Sequence, residues 1–174
     1  MAPLFVEMEV WDISFTEMQS WSVAGCISLK EKGVEDKTAW LLHIFCSPTD
    51  LSVMEAHMHT GVLRPLATDL IKNVVGALTG KILWVAIDEV KESTLCGYAK
   101  IQQREKGFRL EGDAVVLADL AIVANVPIFV SQKIIEEFAI TIEEWEGIAQ
   151  RERKRKLLEK LKNLNDDDLE KFKV

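Results

Sequence analysis

Apolar and polar residues alternate along the first quarter of the chain. In Leu4–Phe15 the apolar side chains fall on every second position, with Glu7 and Glu9 on the opposite face. A period of two predicts a β-strand with one buried face. Trp21–Lys30 repeats the pattern, and Thr38–Cys46 is more apolar and so more central. Three strands with short connections predict an antiparallel meander.

Helical spacing follows in Leu51–His59 and Leu63–Leu78, with a break predicted at Thr60-Gly61 and Pro65. A strand remains an alternative for residues 53–59. The next segment, Lys81–Glu89, is an apolar run that predicts a strand buried on both faces.

The rest of the chain predicts further helix–strand units. Ser93–Glu111 fits either a helix over Tyr98–Lys106 or a hairpin that turns at Lys106-Gly107. Beyond it, the pattern predicts a buried helix, a short strand and two more helices, at Ala114–Val126, Ile128–Val130, Ser131–Phe138 and from Ile142 onward. Thr141 and Glu144 have the spacing of a capping box.

The element order predicts an α/β fold. We expect a mixed sheet in which an antiparallel three-strand meander is followed by alternating helix–strand units, with helices on both faces. With 174 residues, 48% of them hydrophobic, the chain is long enough for one domain. We assign residues 1–150 to that domain and 151–174 to a charged helical C-terminal extension.

Composition narrows the function classes. The net charge of −7 argues against a pure DNA-binding module, although an acidic nuclease can meet its substrate through metal ions. Three dispersed cysteines indicate a reducing compartment, so we expect a cytoplasmic protein. The most apolar stretch, Ala114–Val130, is too short to span a bilayer, which predicts no membrane partner. Charged residues rich in Lys and Glu favour a thermophilic source.

From Leu4 to Phe138 the order of elements resembles the ribonuclease H-like fold. In that family, metal-binding carboxylates come from the first strand, the first helix, the end of the fourth strand and the last helix. The resemblance implies that Glu7 or Glu9, Glu55 and Asp88 hold Mg²⁺ or Mn²⁺, although the family has Asp on its first strand. Three acids remain open as the fourth ligand: Asp119, Glu136 and Glu137.

This set of acids leads to a hypothesis of metal-dependent phosphodiester hydrolysis by a nuclease, with an exonuclease that acts on single-stranded nucleic acid as the narrower form of the hypothesis. Two divalent ions held by converging carboxylates can activate water and stabilise the leaving oxygen. His59 lies four residues after Glu55, on the same face, and is the candidate general base. His57 would join them only in a strand, and ordinary surface histidines are the alternative. A second metal site, with His43 or Cys46, is conceivable.

Asp119 lies among apolar residues of its predicted helix. An isolated buried charge is costly, so this carboxylate needs a partner or marks an exposed strip. Pairing with a core arginine and a catalytic role both remain open.

A locally basic segment surrounds the possible hairpin. It contains Lys100, Arg104, Lys106 and Arg109 with Tyr98 and Phe108 interleaved, a composition that suits single-stranded nucleic acid. A solvated hairpin is the alternative.

A second function class also fits the sequence. The chain could be a non-catalytic interaction or assembly protein that forms a homo-oligomer through its apolar helices or its C-terminal helix. Leu157, Leu161 and Leu164 form a narrow apolar stripe that must dock on another surface.

Overall fold

A computed structural model describes residues 4–18, 22–59 and 66–162. Its eight strands are β1 (Phe5–Met18), β2 (Ser22–Glu31), β3 (Trp40–Cys46), β4 (Gly80–Lys91), β5 (Thr94–Gln103), β6 (Lys106–Asp113), β7 (Ile128–Ser131) and β8 (Ile140–Thr141). Its five helices are α1 (Pro48–His59), α2 (Ala67–Ala77), α3 (Ala114–Ala124), α4 (Gln132–Phe138) and α5 (Ile142–Lys162). All eight strands belong to one sheet, in the order β6-β5-β4-β7-β1-β2-β3-β8.

The predicted N-terminal meander is confirmed. Strand β2 pairs antiparallel with both β1 and β3. The register of β1 shifts between Val10 and Asp12, so Trp11 is the extra residue of a bulge. The period-two pattern placed these strands correctly because each of them has one face in the core.

Strands β4, β5 and β6 form a second antiparallel meander. The hairpin reading of Ser93–Glu111 is therefore confirmed, and the helix over Tyr98–Lys106 is wrong. The chain turns two residues before the predicted position, with Arg104 in a left-handed conformation (φ 53°). The register also shifts between Ile87 and Glu89, which makes Asp88 the extra residue of a bulge.

Strand β7 joins the two meanders. It runs antiparallel to β1 and parallel to β4, so the sheet is mixed, as predicted. At one edge of the sheet β8 pairs with β3 through two residues, and at the other edge lies β6.

The two faces of the sheet differ in what covers them. The inner face, which carries Met8, Leu29, Leu42, Val85 and Ala99, packs under α1, α2 and α3. The outer face carries Glu7, Ser28, His43, Trp84 and Tyr98. On that face the start of α5 contacts the sheet, because the Trp145 ring lies 4.4 Å from the ring of His43. Helices on both faces are thus confirmed.

Side chains cap the N-termini of three helices. Asp113 and Ser131 cap α3 and α4 with their side chains, and the predicted pair Thr141 and Glu144 forms its reciprocal hydrogen bonds. Helix α5 continues through residue 150, where we had divided the chain, and that division stays a prediction. The break predicted at residues 60–65 and the end of the tail, with Leu164, lie outside the described residues.

In α2 the apolar stripe does not face the sheet. Leu70, Val74 and Leu78 are 62%, 48% and 61% exposed. Among the described helices, none is long and apolar enough to cross a membrane.

Candidate nucleic-acid interface

The acids predicted to bind metal lie on separate elements. Glu7 and Glu9 lie on the outer face of β1, and Glu55 lies on the exposed side of α1. Asp88 is at the bulge of β4. Because β7 separates β1 from β4, the backbones of Glu7 and Asp88 are at least two strand spacings apart, roughly 10 Å. The Glu7 carboxylate accepts a hydrogen bond from Lys32 Nζ at 2.5 Å.

The described residues contain no group of three His, Cys, Asp or Glu side chains placed to hold a metal ion. Two candidates for the fourth ligand, Glu136 and Glu137, are exposed on α4, and Glu136 accepts a hydrogen bond from Gln132. The proposed general base, His59, is exposed beside Glu55. Metal binding by these acids therefore stays a prediction, with no converging carboxylate centre behind it.

Two of the four predicted cations come together. Lys100 on β5 and Arg109 on β6 are cross-strand partners and point to the outer face. Arg104 lies in the turn, and Lys106, paired with Gln103, begins β6 on the inner side. The hairpin therefore presents one cation pair on the outer face, with the other two cations at its tip.

Aromatic residues lie directly beside this pair. The Trp84 ring centroid is 5.5 Å from that of Tyr98 and 5.8 Å from that of Phe129, the second contact being edge-to-face. The guanidinium of Arg109 stands over the Tyr98 ring, 4.2 Å from its centroid. Trp84 and Phe129 are partly exposed, whereas Tyr98 is buried under Arg109. Four neighbouring strands thus carry three rings and a cation–π pair on one surface.

Asp88 borders this surface. Burial raises the pKa of its carboxyl, and the charge of Glu89 raises it further, while Arg109 and Lys91 pull it down with a net upward result. Bulges often redirect a side chain next to an active site. Asp88 is therefore a carboxyl at the border of this surface whose pKa lies above its ordinary value.

The helices that cover the inner face of the sheet hold a polar cluster between them, which the sequence did not reveal. His57 Nδ1 is 2.6 Å from Asp119 Oδ1, and His57 Nε2 is 3.0 Å from Asp69 Oδ2. Thr68 donates to the second Asp119 oxygen at 2.6 Å, and the Leu66 amide donates to Asp69 at 2.9 Å. The cluster joins α1, α2 and α3.

The protonation of this cluster follows from its partners. A carboxylate only accepts hydrogen bonds, so both nitrogens of His57 donate and the ring is an imidazolium. Burial lowers the pKa of His57, but the hydrogen bonds and charges of Asp119 and Asp69 outweigh it and raise the pKa overall. The Leu66 amide, and then His57, lower the pKa of Asp69. With both nitrogens engaged, His57 has no lone pair for a metal or a proton.

For Asp119 the sequence predicts either an arginine partner or a catalytic role. Its partners are a histidine and a threonine, so the arginine expectation is wrong. One signal could have found the histidine: His57 lies three residues after Met54, which follows Leu51 by three, and both are buried on the same side of α1.

A third polar group lies on the outer face. His43 Nδ1 is hydrogen-bonded to Ser28 Oγ at 2.9 Å, while its Nε2 is buried without a partner among the described residues. Burial lowers the pKa of His43, only partly offset by Asp12. Cys46 points to the inner face, against Gly25, so His43 and Cys46 lie on opposite faces of the sheet.

The fold and this surface define a class: an α/β domain whose sheet carries aromatic rings, partly exposed at Trp84 and Phe129, beside the cations Lys100 and Arg109. A family model described as the bifunctional nuclease domain matches residues 33–143, more than half of the chain. The chain belongs to the bifunctional nuclease domain family. A search among curated proteins found no match.

The family assignment corrects the resemblance to the ribonuclease H-like fold, which is wrong. That resemblance rested on element order, and the order differs: α1 and α2 follow one another, and β4 leads into two more strands rather than a helix. The matched segment contains Glu55, Asp88 and all four predicted cations. Glu7 and Glu9 precede it.

Proposed function

We propose that this chain is a phosphodiester hydrolase that acts on single-stranded nucleic acid bound across the outer face of β4, β5 and β6. The observation that carries the proposal is the pairing of Lys100 with Arg109 beside the rings of Trp84 and Tyr98, within a nuclease-family domain.

The chemistry of a single strand fits this surface. Unpaired bases stack on aromatic rings, and cations follow the phosphates. Because the whole chain carries a net charge of −7, attraction to phosphate depends on local cations rather than on the overall field. Arg104 and Lys106 would extend the cationic path to the hairpin tip.

Asp88 is the group that we assign to the reaction. A carboxyl whose pKa is raised holds its proton more readily than an ordinary aspartate, which favours a role in acid–base chemistry. Arg109 would stabilise the charge that develops on the phosphate.

The metal dependence is part of the same proposal. Mg²⁺ is commonly held by one or two carboxylates, with waters and substrate phosphates completing its shell. Asp88 could supply such a carboxylate for Mg²⁺ or Mn²⁺. Binding of the ion would then depend on the nucleic acid.

The test is cleavage of labelled single-stranded DNA and RNA, with Mg²⁺ or Mn²⁺ and with chelator. We expect wild type to cleave the substrate. The cleavage rate of Asp88→Asn should be lower by several factors of ten, and each tenfold loss corresponds to about 1.4 kcal/mol in the activation free energy. Glu35→Gln, an exposed acid in the loop after β2, is the matched control. If Asp88→Asn cleaved as fast as wild type, Asp88 would have no role in the reaction. If wild type cleaved neither substrate, the proposed hydrolase function would be wrong.

Glu55 and His59 form the competing site on α1, whereas a metal role for Glu7 and Glu9 would need a separate site on the outer face of β1. Glu55→Gln in the same assay separates the two sites. If Glu55→Gln lost cleavage while Asp88→Asn remained active, the reaction would take place at the site on α1.

Self-association is the second candidate role. The exposed stripe of Leu70, Val74 and Leu78 supports it, because contiguous apolar surface of this kind marks interaction sites. The cytoplasmic location and the thermophilic source stay predictions from composition.

A further inference from the structure

The charge of the outer face reverses along strands β4, β5 and β6. Directly paired residues lie on the same face of a sheet, so the register shows which side chains share this surface. Towards the tip of the β5–β6 hairpin it carries three cations, Lys81, Lys100 and Arg109. From the level of Tyr98 onward it carries two acids, Glu111 on β6 and Glu89 on β4. One continuous surface thus has a cationic half and an acidic half.

The cationic half reaches from the hairpin tip to the ring of Tyr98. A Cβ atom at Gly107 would come within 2.6 Å of Lys100 Nζ, so this ammonium group lies over the glycine, on the side of the tip. The guanidinium of Arg109 covers the Tyr98 ring at 4.2 Å. Cations and rings therefore lie together in this half, as a single strand requires.

The acidic half is not neutralised by the lysine within it. Lys91 Nζ is 2.6 Å from a Glu89 oxygen and 3.6 Å from a Glu111 oxygen. Two carboxylates therefore share one ammonium group, and the three side chains together leave one negative charge in excess. The segments that form this end, residues 89–97 and 111–113, contain no aromatic residue on which a base could stack.

Asp88 lies where the two halves meet. It is the extra residue of the β4 bulge, directly before Glu89. Charges of both signs act on its carboxyl: burial raises its pKa most, Glu89 raises it further, and Arg109 lowers it. The group that we assign to the reaction is therefore at the end of the cationic half and not in its middle.

We propose that Glu89 and Glu111 end the binding surface, so that the enzyme cleaves single-stranded nucleic acid beside a free end and not in the interior of the strand. This inference rests on the proposed function and names the part of the substrate that the site selects. The two glutamates act as specificity-determining residues, and Asp88 keeps its role in the reaction.

Repulsion and missing stacking both disfavour a strand that continues past Asp88. Its next phosphates would lie beside Glu89 and Glu111, and like charges placed together suppress the wrong partner. Its next bases would find no ring. A strand that ends at Asp88 avoids both losses while it keeps its contacts with the cationic half.

The reaction at the end of the strand is the same hydrolysis. The oxygen of water bonds to phosphorus, and the bond from phosphorus to the leaving sugar oxygen breaks. The phosphate keeps the hydroxyl group, and the leaving oxygen gains the other proton of the water. The products are a short terminal fragment and a shortened strand.

A substrate without ends tests the proposal. A labelled single-stranded DNA is compared with the same sequence closed into a circle, in the presence of Mg²⁺ or Mn²⁺. We expect wild type to cleave the circle on the order of tenfold more slowly than the linear strand, or not at all.

Removal of the acidic charge should change this preference. In Glu111→Gln, and further in the double variant with Glu89→Gln, the ratio of circle to linear cleavage should rise on the order of tenfold. Glu105→Gln is the matched control, because it removes the same charge from the hairpin turn at the other end of the surface. Its ratio should equal that of wild type, and circular dichroism verifies that each variant is folded.

Binding gives a readout that does not require cleavage. Fluorescence anisotropy with chelator present should show weaker binding of the circle than of the linear strand by wild type, and a smaller difference in Glu111→Gln. If no variant cleaves either substrate but this difference is present, the proposed hydrolase function is wrong and the selection of a free end stands.

Three results would overturn the inference. The first is a wild type that cleaves and binds the circle as well as the linear strand. The second is a ratio that stays the same in Glu111→Gln and in the double variant. The third is a ratio that rises equally in Glu105→Gln, since the acids beside Asp88 would then have no special role.

Discussion

Charged side chains on the inner and outer sides of the sheet differ in whether they have partners of opposite charge. On the inner face the cation of His57 is enclosed by two carboxylates, and its side chain is 4% exposed. On the outer face Lys100 and Arg109 form no salt bridge with any described residue. Buried charge is tolerated only where partners neutralise it, whereas surface cations without partners remain available to a ligand.

The difference separates stability from binding. Substitutions in the inner cluster should act on the free energy of unfolding, and substitutions on the outer surface should act on affinity for nucleic acid. The following variants test that separation.

The largest effect is expected from His57→Ala. Its loss leaves Asp119 buried at 5% exposure with Thr68 as its one remaining hydrogen-bond partner among the described residues, and breaking a buried ion pair on one side costs about 3–5 kcal/mol. Urea unfolding measures the change. His59→Ala, on the exposed side of the same helix, should shift it by less than about 0.5 kcal/mol. If His57→Ala were folded but had lost affinity for single-stranded DNA, the cluster would affect binding as well as stability, contrary to the separation expected here.

The pH dependence of stability should reveal the same cluster. The pKa of His57 is raised above 6.5 by folding, so its contribution is complete below pH 6.5 and declines as the pH rises through the folded value. The pKa of Asp69 is lowered below 3.8, so its contribution is complete above pH 3.8 and is lost on acidification. We expect the cluster to stabilise most between these values. A difference between wild type and His57→Ala that did not change with pH would contradict the assignment of an imidazolium.

Trp84→Ala should weaken binding of single-stranded DNA by about 1–3 kcal/mol, the usual contribution of one stacked base. Fluorescence anisotropy with a labelled oligonucleotide measures it. Phe138→Ala, which removes an exposed ring on α4, is the control and should leave affinity unchanged. Equal losses in both variants would mean that the rings bind without a defined surface.

The smallest effect concerns salt. Each cation that contacts a phosphate contributes about 0.7 to the slope of log affinity against log salt for single strands. Lys100→Ala and Arg109→Ala should each reduce the slope by about that amount, and Lys133→Ala on α4 should not. If the slope were the same in both variants as in wild type, the phosphates would bind at a different surface of the protein.

The resemblance to the ribonuclease H-like fold and the expectation of converging acids have one common cause. Element order resembled the ribonuclease H-like fold, yet strand order places β7 between β1 and β4, and so keeps Glu7 away from Asp88. Acids that were well placed along the chain therefore do not converge. The basic segment was predicted better, because a hairpin brings near neighbours together and the alternation of its residues sets the face on which they lie.

The sequence by itself determined what depends on near neighbours: strands β1 to β4, the helix α3, and the cap formed by Thr141 and Glu144. Periodicity and capping act over a few residues, where the solvation of side chains is decisive. Only the tertiary structure decided the partners of Asp119, since His57 lies 62 residues away. It also decided that the α2 stripe is exposed, because a helical pattern shows which residues share a side but not whether the sheet lies beneath it.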